Sequence, residues 1–93
     1  MLIQHKLVGT KGLFYVGQEG SILAEMVYTK PSDDKIIIEH TEVDASLEGK
    51  GVGKQLVATA VEYARTHNLK IIPLCPFTKK VIDRTKEFQD VLA

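Results

Sequence analysis

The run Glu48-Gly49-Lys50-Gly51-Val52-Gly53-Lys54 stands between two segments of different periodicity. Before it, Lys35 to Val43 holds Ile36-Ile37-Ile38. Three consecutive β-branched residues resist a helix and suit a strand buried on both faces. After it, Val52, Leu56, Ala60 and Ala64 recur at helical spacing, and Val57 and Val61 widen the stripe. Lys54, Gln55, Glu62 and Arg65 fall on the wet side. The spacing predicts a helix from about Gly51 to His67, with Asn68 suited to ending it. Lys70 to Leu74 is a second short apolar strand. Its tight link to the helix predicts a β-α-β crossover, hence parallel pairing with Lys35–Val43.

Upstream, the pattern is that of an antiparallel meander. Leu13 to Val16 is apolar and aromatic between Gly12 and Gly17. In Ser21 to Thr29, Ile22, Ala24, Met26 and Tyr28 alternate with Leu23, Glu25, Val27 and Thr29, and Gln18-Glu19-Gly20 is a candidate hairpin turn before them. Lys30-Pro31-Ser32-Asp33-Asp34 is a turn-forming cluster. Downstream, Pro76 opens a helix at its first turn. Thr78 to Thr85 carries Val81 and Ile82 as its apolar anchor, and Phe88 and Val91 of the tail are expected to pack back onto the domain. The helix from Gly51 is expected on one face of the sheet and the short helix after Cys75 on the other face or at an edge.

The 93 residues imply one domain over 1–93, and 44% hydrophobic with 26% charged residues fits an ordinary globule. Twelve basic residues balance twelve acidic ones, so nothing global favours nucleic acid. Cys75 is the only cysteine. It can form neither an internal disulfide nor a cysteine-based zinc site, and it suits a reducing, cytoplasmic home. No apolar stretch approaches the length of a membrane span, and Met1 to Lys6 lacks the apolar run of a signal peptide. A monomer is compatible with all of this. His5 and His67 lack partners at metal-ligand spacing, and no metal is expected.

Gly49, Gly51 and Gly53 alternate between strand and helix. Glycine permits positive φ and close backbone approach. The first turn of a helix leaves N–H groups unpaired and carries partial positive charge. Together these make a phosphate site, and Lys50 and Lys54 add local charge. A structural turn with no ligand is the alternative. The nucleoside-triphosphatase loop is excluded, because Gly53-Lys54 is followed by Gln55 and not by Ser or Thr. The dinucleotide fingerprint G-x-G-x-x-G is not supplied either.

Val43-Asp44-Ala45-Ser46-Leu47-Glu48-Gly49-Lys50-Gly51-Val52-Gly53-Lys54-Gln55-Leu56 resembles the acetyl-coenzyme A motif of the Gcn5-related N-acetyltransferases, roughly Val-x-x-x-x-(Arg/Gln)-Gly-x-Gly-x-Gly/Ala. Glu48 stands where Arg or Gln is usual. Ile38-Glu39-His40-Thr41-Glu42-Val43 and Ile72-Pro73-Leu74-Cys75-Pro76-Phe77 are similar to a minimal subfamily with a strand ending near His-Thr and a Cys after the next strand. The resemblance covers nearly the whole chain, which has no room for the helices that usually follow the first strand. It implies an α/β fold with a mixed sheet: an antiparallel meander, a β-α-β unit and a short C-terminal helix. It implies acetyl-coenzyme A as acetyl donor and an amine, small-molecule or protein, as acceptor; coenzyme A or partner binding without transfer is the alternative. The cofactor contacts it implies are Gly49, Lys50, Gly51, Val52, Gly53 and Lys54 for the pyrophosphate, with backbone groups of Thr41, Glu42 and Val43 for the pantetheine arm.

Acyl transfer to an amine needs a base, and often a proton for the leaving thiolate. His40 is a candidate base, because histidine ordinarily titrates near neutrality. A hydrogen-bonded histidine that merely packs on the next strand is the alternative. Glu39 and Glu42 are rival bases, and strict alternation places Glu39 and His40 on opposite faces. Cys75 ends the second parallel strand, where ligands gather in open sheets. It could accept the acyl group, protonate the leaving thiolate, or be a small buried hydrophobe. Phe77, Lys79 and Lys80 could flank the coenzyme, although an inward-packed Phe77 and solvated lysines are the simpler expectation.

Overall fold

The computed structural model describes residues 2–18 and 20–93. The Gln18-Glu19-Gly20 turn therefore lies partly outside the described residues. Four strands form the antiparallel meander: β1 (Gln4–Val8), β2 (Lys11–Gln18), β3 (Ser21–Ser32) and β4 (Lys35–Val43). β5 (Lys70–Pro73) then pairs with β4 in parallel, so the sheet runs in chain order. Helix α1 (Val52–Thr66) makes the crossover, and α2 (Pro76–Arg84) follows β5. Asn68 does end α1, in the left-handed region at φ 56°. A 3-10 helix, Lys86–Val91, closes the chain; Val91 is buried, Phe88 packs against the core, and Leu92 bridges Ile71.

The first strand was not legible, for a physical reason. Gln4–Val8 is an edge strand whose residues are mostly exposed, so it carries no alternation. It is held by its ladder to β2 and by His5, which stacks on Phe14 at 4.4 Å. The expected turn at Lys30-Pro31-Ser32 is corrected as well. β3 runs on to Ser32, and the turn is confined to Asp33-Asp34. The pairing of β3 with β4 is interrupted between Thr29 and Ser32, so Pro31 forfeits no ladder bond there.

One hydrophobic core lies on one face of the sheet. Phe14, Ala24, Met26, Tyr28, Ile36, Ile38 and Ile71 point into it. Val52, Leu56, Val57, Ala60, Val61 and Ala64 of α1 cover them. Each fully buried aliphatic side chain contributes about 1.5–3 kcal/mol. Val81 and Ile82 of α2 join the same core, so α2 lies beside α1 and not on the opposite face or at an edge. Both helices choose that face because Ile36 and Ile38 are the fully buried residues of β4. Ile37 is only half-buried, which corrects the expectation of a strand covered on both faces. Gly12 is needed where Tyr28 crosses β2, because a Cβ there would lie 2.0 Å from the tyrosine ring. No helix among the described residues is long and apolar enough to cross a membrane.

Candidate functional site

The glycine loop leaves α1 uncapped. Asp44 caps the preceding 3-10 turn, Ala45–Leu47, accepting from Ser46 N at 3.0 Å. Gly49 and Gly51 then take φ of 78° and 73°, which L side chains rarely adopt. Gly51 is the N-cap, offers no side chain, and no acidic residue stands in the first turn. The amides of Val52, Gly53 and Lys54 therefore have no helical acceptor, and Gln55 N makes the first helical bond, to Gly51 O at 3.1 Å. Gly53 serves a different purpose. A Cβ there would come 2.6 Å from Phe77 Cζ, so the ring of Phe77 lies over it and ties α2 to the loop. Val43, Leu47, Glu48 and the three glycines, with Phe77, line a shallow cleft of about 280 Å³. Lys50 and Lys54 are exposed and make no ion pair among the described residues.

Beside this loop the two parallel strands part. Pairing ends at Ile38↔Pro73, and Leu74 N and Cys75 N both donate to Ile38 O at 3.0 Å. The chain then turns into α2, while β4 continues to Val43 with no neighbour on that side. Asp44 N donates across to Leu23 O at 2.7 Å. Counting back by alternation, Glu42 turns its backbone to β3, whereas Thr41 and Val43 turn theirs to the free edge. Of the three residues expected to offer backbone groups, Thr41 and Val43 thus face that edge.

A register shift in β4 re-aims the candidate bases. Val27 pairs with His40 and Tyr28 with Ile38, leaving Glu39 as the extra residue of a bulge. His40 therefore shares the open face of the sheet with Val27. Glu39 accepts there from Thr29 Oγ1 at 2.5 Å and from Lys11 Nζ at 2.6 Å. The expectation that Glu39 and His40 look to opposite faces is corrected: strict alternation fails at a bulge. Glu39 is occupied, and these bonds, Lys11's first, hold its carboxyl below the usual range. His40 Nε2 lies 3.5 Å from Glu25 Oε2 and 3.7 Å from Glu42 Oε1, half-exposed at the lip of a cleft lined by Glu25, Glu42 and Val43.

Cys75 lies on the other face. It is 5% exposed, is the N-cap of α2, and its Sγ donates to Thr41 Oγ1 at 3.5 Å. Burial opposes charge on the sulfur, but the Thr41 hydroxyl and the first-turn groups of Thr78 and Phe77 outweigh it. The thiol is held below its ordinary value. The first-turn groups draw the sulfur without a formed capping bond, since Cys75 makes none.

A free β4 edge facing an uncapped helix across a glycine loop agrees with what comparison shows. Residues 13–91 match the model of the GCN5-related N-acetyl-transferase family. The chain belongs to that family. The solution structure of a GCN5-like protein from Staphylococcus aureus is 41% identical, with a TM-score of 0.75, over 97% of this chain and 87% of that one. An IAA acetyltransferase from Bacillus cereus is 27% identical, with a TM-score of 0.55, over 67% of this chain. An acetyltransferase of this family from Elizabethkingia anophelis, solved with acetyl-CoA bound, shares the fold at 17% identity and a TM-score of 0.57. The chain spans 42% of the length of each of these last two. No curated protein matches.

In this member of the GCN5-related family, the fold brings Gly49, Gly51, Val52, Gly53, Lys54, Val43 and Phe77 to one cleft, with Lys50 outside its lining, and Thr41 to Cys75. It does not bring His40 to Cys75, which occupy opposite faces of the parted strands. Lys79 pairs with Asp83 at 2.9 Å, and Lys80 is exposed, so neither joins the cleft. Thr78 was read only as a helix residue. Its position three residues after the Cys75 cap was the signal available, because the third helical residue reaches back to the N-cap.

Proposed function

We propose that this chain transfers an acetyl group from acetyl-coenzyme A directly to an amine. The observation that carries this is the uncapped first turn of α1 opposite the free edge of β4. Pyrophosphate oxygens would accept from the amides of Val52, Gly53 and Lys54, with the positive end of α1 behind them. Gly49 and Gly51 leave the approach open, since a Cβ on either would meet nothing within 4 Å. Lys50 and Lys54 supply charge at the rim. The pantetheine arm would bond to the outward groups of Thr41 and Val43, which directs the thioester into the gap between β4 and β5.

The two faces then divide the proton chemistry. On the open face, His40 takes the proton of an incoming ammonium. The C–N bond forms as the C–S bond breaks, and the nitrogen sheds its second proton to solvent. On the helix face, Cys75 gives its proton to the departing coenzyme sulfur and recovers one from solvent. Glu25 and Glu42 flank His40 and favour a cationic acceptor.

Release of coenzyme thiol against a panel of amines tests this. Binding of coenzyme A with no turnover above the enzyme-free rate on any amine would replace transfer by binding alone. Removing His40 in His40→Ala should suppress turnover near neutral pH and restore it partly at higher pH, where the free amine needs no base. Intact mass after brief mixing with acetyl-coenzyme A separates direct transfer from a relay. An acetyl adduct that forms rapidly, vanishes in Cys75→Ala and is discharged by amine would overturn direct transfer.

A further inference from the structure

One buried side-chain polar atom among the described residues lacks a partner: Thr78 Oγ1, in a residue with no solvent exposure. An unpaired buried hydroxyl costs about 1–3 kcal/mol, so its placement asks for a reason. Threonine inside a helix usually bonds the carbonyl four residues earlier, as Thr59 does to Gln55 O at 2.8 Å. For Thr78 that carbonyl belongs to Leu74, outside α2, so this outlet is missing. Thr78 is the third residue of α2 and Cys75 is its N-cap, the two positions whose side chains reach toward each other's backbone N–H in a capping box. Pro76 lacks an N–H, leaving Phe77 and Thr78 as the first amides behind the sulfur.

We infer that Thr78 is a positioning residue for Cys75, its hydroxyl donating to the sulfur once the thiol has lost its proton. The neutral thiol already donates to Thr41 Oγ1, so only Thr41 is engaged at rest. When the proton leaves, the thiolate becomes an acceptor, and the Thr78 hydroxyl turns to it together with the amides of Phe77 and Thr78. Thr78 thereby fixes the sulfur and its proton affinity without touching substrate. The pressure of burial against the charge is offset by these donors, consistent with the lowered thiol. No charged side chain stands among the leading influences on it. On β4, Glu39 is bonded to Lys11 and Thr29, and His40 lies with Glu25 and Glu42 on the open face. On α2, Lys79 pairs with Asp83 while Lys80 and Arg84 are exposed. On α1, Lys54 is exposed and Arg65 holds Glu62 and Asp90. On β5, Lys70 bonds Asp90 O; in the closing 3-10 helix, Lys86 and Glu87 are exposed.

The role of Cys75 as proton donor rests on the proposed function, but the positioning itself does not, and it is read without acetyl-coenzyme A. Because Cys75 is the only cysteine, thiolate absorbance against pH, taken as a difference from Cys75→Ala, reports that sulfur alone. Thr78→Val keeps the shape and removes the hydroxyl. Its thiolate midpoint should rise by about one unit, the scale of one hydrogen bond to an ion. Thr78→Ser restores the donor and should return the midpoint toward wild type. If Thr78→Val does not fold, Thr78→Ala carries the same comparison. A midpoint unchanged from wild type in the folded hydroxyl-free variant, or equally raised in Thr78→Ser, would overturn the inference, whatever the protein's activity.

Discussion

The two ends of helix α1 are built on opposite principles. At its start, the amides of the first turn, the free edge of β4 and the Thr78 hydroxyl are left without partners. At its end, polar groups are paired or packed. His5 Nε2 and the Tyr28 hydroxyl share a hydrogen bond at 2.7 Å. His5 also stacks on Phe14, and Tyr63 stacks on His67 at 4.2 Å. Burial, then the neighbouring His67, holds His5 below the ordinary histidine range. Burial likewise raises Tyr28 far above the usual tyrosine value, so its hydroxyl stays protonated beside His5. Arg65 clasps Asp90 through Nε at 2.9 Å and Nη2 at 2.7 Å, and also donates to Glu87 O, tying the C-terminal 3-10 helix to α1. The paired end holds the fold together, and the unpaired end can accept a ligand without first breaking anything.

If that division holds, a change at one end should leave the other's measurement alone. The largest effect is expected at the paired end. Tyr28 is fully buried, and Tyr28→Ala should cost about 3–5 kcal/mol of stability in denaturant unfolding. Coenzyme affinity of the fraction still folded should be unchanged; a matching loss of affinity would join the two ends into one unit. Gly51→Val comes next. It places a β-branched side chain at φ 73°, in the space before the amides. Coenzyme A affinity by calorimetry should fall at least about tenfold, against a strain of about 1–2 kcal/mol in folding. Unchanged affinity would remove the chief support for the phosphate site.

A smaller effect concerns the Arg65 clasp. Arg65 holds the Asp90 carboxyl below its ordinary value of 3.8. A depressed carboxyl stabilises the fold above its unfolded pKa, and that contribution is lost as pH falls through the lower folded value. Hydrogen exchange of the tail amides should therefore quicken below about pH 4, and quicken less with acid in Arg65→Ala. Arg65→Ala should bind coenzyme as the unaltered protein does at neutral pH. The smallest effect is expected from Glu48→Gln at the open end. Removing an exposed negative charge beside the phosphates should strengthen coenzyme binding by less than about fivefold, fading with added salt. Weaker binding would give Glu48 a structural part in the loop.

Much of this architecture was written in local chemistry. The isoleucines of β4, the helical stripe from Val52 to Ala64 and the glycines between them are signals carried by neighbours in sequence. They sufficed for the β-α-β unit, the uncapped helix and the family. The rest depended on contacts between residues far apart. β1 exists because Phe14 and Tyr28 give His5 something to stack on, which no property of residues 4–8 announces. Glu39 and His40 share a face because pairing with β3 inserts a bulge, and register is a property of two strands together. Cys75 meets Thr41 because β5 ends at Pro73 just where β4 runs on. The sequence by itself determined the strands and helices that carry an apolar pattern, since propensity and periodicity act over a few residues. Only tertiary structure decided which polar groups remain unpaired, since a hydrogen bond or its absence depends on every element that packs around the group.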